Sequence, residues 1–128
     1  MNKNYQLGLL YLVHLLVSAD GVVDQNELAA LDKIKSREGI PDDVFAQFKR
    51  DIAVMKEKEI YQLGIEHITP CSDQEKLQVF SILYKMSEVD GRVHVKEVRL
   101  LLYSTKVTGV EFDDVVNQAA TLPSFYQS

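Results

Sequence analysis

With 128 residues, of which 46% are hydrophobic and 26% charged, the chain has the size and composition of one soluble globular domain. Fourteen basic residues against nineteen acidic ones leave a net charge of -5, which excludes a surface built to track nucleic-acid phosphates and suits cations or basic protein patches. The single cysteine, Cys71, excludes an internal disulfide and gives no sign of a cross-linked secreted scaffold.

The first predicted helix runs from about Asn4 to Ser18 on the apolar run Leu7 to Val17. Lys3, that run and Val17-Ser18-Ala19 together imitate a secretory signal. His14 interrupts the run, however, and the same pattern recurs mid-chain at Val79 to Val89. It also falls short of the roughly 20 residues needed to span a bilayer. The expectation is a cytoplasmic protein with no direct membrane insertion. After Asp20-Gly21, a second helix is predicted over about Asp24 to Arg37, with Leu28, Leu31 and Ile34 on one face. Gly39 ends it, since glycine takes the left-handed conformation without strain. A third helix starts near Pro41, a residue tolerated in a first helical turn.

A connecting helix over about Glu57 to Ile68 carries Ile60, Leu63 and Ile68, and Pro70 closes it. Ser72-Asp73-Gln74-Glu75 is a capping box, in which serine and glutamate satisfy two orphan backbone donors, and it opens a helix over Ser72 to Glu88. Beyond Asp90-Gly91 a further helix shows Val98, Leu101 and Leu102, Gly109 ends it, and a last helix starts near Glu111. No strand-like alternation is seen. The fold class is therefore all-α, a bundle of about seven helices in a single domain over residues 1–128.

The two Asp-Gly pairs lie 70 residues apart, and the register holds on both sides of them. Leu9, Leu10, Leu12, Val13 and Leu16 fall on Val79, Phe80, Ile82, Leu83 and Met86. Val23 falls on Val93, Glu27 on Glu97, Leu31 on Leu101 and Gly39 on Gly109. Apolar matches alone arise by chance between helices, but polar and glycine matches in the same register are harder to obtain. The reading is an internal pseudo-twofold repeat with units of about 4–55 and 72–121.

Each unit carries Asp-Gly-x-Val-x-x-x-Glu. Part of that string is explained by helix ends: glycine stops one helix, and Asp24 with Glu27 opens the next as a capping box. Asp20 and Asp90 are not, because a carboxylate in a helix's last turn faces the negative end of its dipole. A cation gives that charge a partner. The string matches the second half of an EF-hand loop, with Asp at position five, Gly at six and Glu at twelve. The first half fails, since positions one and three are Leu16 and Ser18, then Met86 and Glu88. An ordinary EF-hand is thus excluded. The candidate metal ligands are Asp20, Asp24, Glu27, Glu88, Asp90 and Glu97, an all-oxygen set suited to calcium or magnesium rather than zinc.

The strings Ala19-Asp20-Gly21-Val22-Val23-Asp24-Gln25-Asn26-Glu27-Leu28 and Val89-Asp90-Gly91-Arg92-Val93-His94-Val95-Lys96-Glu97-Val98 resemble the turns of the tellurite-resistance TerB-like family. The resemblance extends from about Leu7 to Ala120. It implies a pseudo-twofold seven-helix bundle whose acidic turns form one cation site, favouring Asp20, Glu27, Asp90 and Glu97. Related helical domains occur in membrane J-domain co-chaperones and stress-response assemblies, which implies a protein partner, including a membrane-associated assembly. His94 and Val95 depart from the family's pattern, and no His-Pro-Asp signature of a J-domain is present.

No Gly-rich phosphate loop, His-Glu-x-x-His or Gly-x-Ser-x-Gly occurs. His14 and His67 read as packed or helix-terminal residues, Cys71 as an inert small residue, and Lys49 to Glu59 as the solvated side of a helix. The expected function is a non-enzymatic acidic binding module linked to stress or tellurite resistance, with oligomers open to it. The alternative is a metal-dependent hydrolase using the same acidic cluster. Phe125 and Tyr126, after Pro123, either fold back on the bundle or anchor another chain.

Overall fold

The computed structural model describes residues 3–17, 25–89, 92–93 and 103–122. Helices α1 (Lys3–Val17), α2 (Gln25–Arg37), α3 (Asp42–Val54), α4 (Glu57–Ile68) and α5 (Asp73–Ser87) come first. Two short strands follow, β1 (Glu88–Val89) and β2 (Arg92–Val93). Residues 103–108 are helical (α6), and α7 spans Phe112–Ala119. Seven helical segments among the described residues make the fold all-α, as the periodicity predicts.

The strands are a correction to the sequence reading. They pair antiparallel with Glu88 opposite Val93 and Val89 opposite Arg92, so Glu88 belongs to a ladder rather than to the helix before it. The overlooked signal is Asp90-Gly91 itself, since a two-residue Asp-Gly connection is a strong hairpin indicator. Two smaller corrections concern helix ends. Pro41 sits at the N-cap of α3 with extended backbone (ψ 154°) rather than inside the first turn. Lys49 to Glu59 is not one solvated helix side, because the chain leaves α3 at Met55 and enters α4 through an extended Lys56.

Helix α1 is the centre of the core. Tyr5, Leu7, Leu9 to Val13, Leu15 and Leu16 are all buried, as expected of a helix that is apolar on nearly every side. It packs against α4 most extensively, then against α3 and α5, while α5 packs against α7. The buried side chains of α1 to α5 join those of α7 in one hydrophobic cluster. The α1–α4 seam is close because both helices present glycine there. A Cβ on Gly8 would lie 2.5 Å from Ile68 Cγ1 and 3.2 Å from the Gly64 carbonyl, and one on Gly64 3.1 Å from Leu12 Cδ2.

Helix ends follow local chemistry. The Ser72 box forms as predicted: the Glu75 amide donates to Ser72 Oγ at 3.1 Å and the Ser72 amide to Glu75 Oε1 at 3.0 Å. Gly39 and Gly109 have φ of 63° and 79°. The next amide reaches back five residues in each case, from Ile40 to the Lys35 carbonyl (3.0 Å) and from Val110 to the Thr105 carbonyl (2.9 Å). That is the Schellman ending, in which a left-handed residue lets a helix satisfy its last carbonyls. Across the first of these turns Lys35 Nζ meets Asp42 at 2.6 Å and holds its carboxyl below the usual carboxylate range.

No atom lies within 4 Å of a Cβ built on Gly39 or Gly109, so alanine there meets only backbone strain. Each substitution is expected to cost about 1 kcal/mol, and the two urea midpoints should fall by similar amounts. A loss at one site several times that at the other would show the two endings to be inequivalent.

Candidate functional site

The helices that lead into the two Asp-Gly segments, α1 and α5, pack against each other. Their corresponding positions are buried alike: Leu9, Leu10, Leu12, Val13 and Leu16 on α1, and Val79, Phe80, Ile82, Leu83 and Met86 on α5. The apolar positions that align at the 70-residue offset thus lie in the core.

Of the six predicted metal ligands, Asp20, Asp24, Asp90 and Glu97 lie outside the described residues. The backbone of Glu27 lies in the first turn of α2, and that of Glu88 begins β1. The tail residues Phe125 and Tyr126 also lie outside the described residues. Among the described residues, no group of three or more His, Cys, Asp or Glu side chains could hold a metal ion. An open groove at the α6–α7 junction is lined by Thr105, Lys106, Gly109, Val110, Glu111 and Phe112, none of them a predicted ligand.

The described polar chemistry instead ties helices together. Tyr5 donates its hydroxyl to the Glu38 carboxylate at the end of α2, and Tyr11 donates to Asp51 Oδ2 of α3 at 2.5 Å. Burial raises both phenols above their ordinary pKa, and the adjacent carboxylates raise them further. Tyr11 also packs its ring on Phe48 and stacks on His67. Sequence reasoning missed these pairs, which join residues 33 and 40 positions apart. The available signal was two tyrosines within a largely apolar helix, since a buried phenol usually finds a partner.

His14 is a packed residue and His67 a helix-terminal one, as the sequence suggests. The His14 ring is half-buried and meets Phe48 edge-on, with centroids 6.1 Å apart. His67, in the last turn of α4, donates from Nδ1 to Asn4 Oδ1 at 2.8 Å. Burial lowers both pKa values; Glu57 opposes this at His14, and Glu66 and Asp51 oppose it at His67, where Lys3 adds to the lowering. The unfolded chain, with histidines near the ordinary value of about 6.5, therefore takes up more protons on acidification. Their contribution to stability is complete above about pH 6.5 and is lost as the pH falls below it. Melting temperature is expected to drop between about pH 7.5 and 5.5, a range above most carboxylate titration. A His14→Gln/His67→Gln variant should flatten that dependence; an undiminished slope would assign it elsewhere.

Cys71 is buried, with its thiol 3.5 Å from the His67 carbonyl oxygen. Burial pushes the thiol pKa up, Glu75 adds to the rise and Lys76 opposes it, which disfavours the reactive thiolate. No helix among the described residues is long and apolar enough to cross a membrane.

Comparison with known proteins gives one result. Neither the curated proteins nor the solved structures provide a match. The family model described as tellurite resistance protein TerB, however, matches residues 6–119. That stretch begins within the buried α1 and ends on the last residue of α7, so it takes in all of the described helices but the first three residues of α1, and both Asp-Gly strings. By the extent of that match, and by the all-helical architecture beneath it, the chain belongs to the tellurite resistance protein TerB family.

Proposed function

We propose that this chain is a single-domain, non-enzymatic acidic binding module of the cytoplasm, serving tellurite or stress tolerance. In this reading Asp20, Asp24 and Glu27 of the first half and Glu88, Asp90 and Glu97 of the second share one divalent cation. The loaded turns then present it, with their remaining charge, to a protein partner in a membrane-associated assembly. The observation that carries the reading is the 70-residue correspondence. It relates the two acidic strings, the buried faces of α1 and α5, and the Schellman endings at Gly39 and Gly109. A pseudo-twofold relation of this kind is what gives two distant strings a reason to act together. The donor set is carboxylate oxygen throughout, which suits a hard ion such as calcium or magnesium.

Titration with calcium and with magnesium, followed by amide NMR, tests the site. Resonances of residues flanking both Asp-Gly pairs are expected to move together at up to millimolar metal, and an Asp20→Asn/Asp90→Asn variant should abolish the response. No shift at millimolar metal removes the cation from the proposal. Pull-downs with the native chain and the same variant then test the partner. Identical captured proteins would reduce the acidic turns to structural elements.

A further inference from the structure

We draw no further inference here: the strongest candidate, the exposed stripe of Tyr103 and Val107 on α6 with Tyr61 of α4 packed beside it, is an unpartnered apolar face, and nothing in the structure shows what covers it.

Discussion

Replacing Gly8 with valine is expected to cost about 3 kcal/mol or more, a large share of the roughly 5–15 kcal/mol that holds a domain folded. The first added carbon alone would sit 2.5 Å from Ile68 Cγ1 and 3.2 Å from a backbone carbonyl of α4. Ile68 is fully buried and has no solvent to swing into, and the carbonyl is helix backbone rather than the end of a flexible side chain. Two further methyl carbons add to the clash, so α1 must move away from α4 and open the seam that buries both. Alanine at the same site separates the terms. It gains up to about 1 kcal/mol of helix propensity over glycine, yet the contact should outweigh that gain and leave a net loss of about 1–2 kcal/mol. Gly64→Ala meets Leu12 Cδ2 at 3.1 Å and Cγ at 3.2 Å, side-chain atoms rather than backbone, so propensity and crowding should nearly cancel there. Urea denaturation followed by circular dichroism ranks the three. A Gly8→Ala protein as stable as the native chain would refute the close seam.

Truncating Phe48 to alanine should cost about 3–5 kcal/mol. The ring is 1% exposed and lies against Tyr11, His14 and Phe45, so removing it empties a site whose walls come from two helices. Tyr11→Phe keeps that packing and deletes only the hydroxyl that Asp51 accepts from. Asp51 is itself only half-buried and can turn to water, so the loss should be about 1–1.5 kcal/mol. Thermal melts decide between packing and polar pairing as the main tie of α3 to α1. Should Tyr11→Phe prove the more damaging of the two, the phenol–carboxylate bond rather than the aromatic cluster would be the dominant link.

Much of the fold was readable from residue order because its signals are local. The capping box at Ser72, the left-handed glycines 39 and 109 and the bounds of α4 are each set by a few neighbouring residues, and each lies where the pattern places it. What escaped the pattern depends on meetings across the chain. Nothing near Gly8 announces that Ile68 will lie over it, and nothing near Tyr5 announces Glu38. The β1–β2 ladder was missed for a different reason. Each strand is two residues long, too short for alternation to register, and the Asp-Gly signal was already assigned to a helix end. For the acidic turns, the sequence supplied residue types and spacing. Their convergence depends on side chains beyond the described residues, and the titration proposed above addresses it directly.

The central position of α1 has a consequence for how the protein is made. Synthesis, at about 5–20 residues per second, delivers this greasy helix before its principal cover, α4, and then α5, which follow tens of residues later. During that interval its leucines have only α2 and α3 for shelter. The burial of α1 is thus completed only by helices that lie later in the chain, so its most apolar element depends on sequence-distant cover.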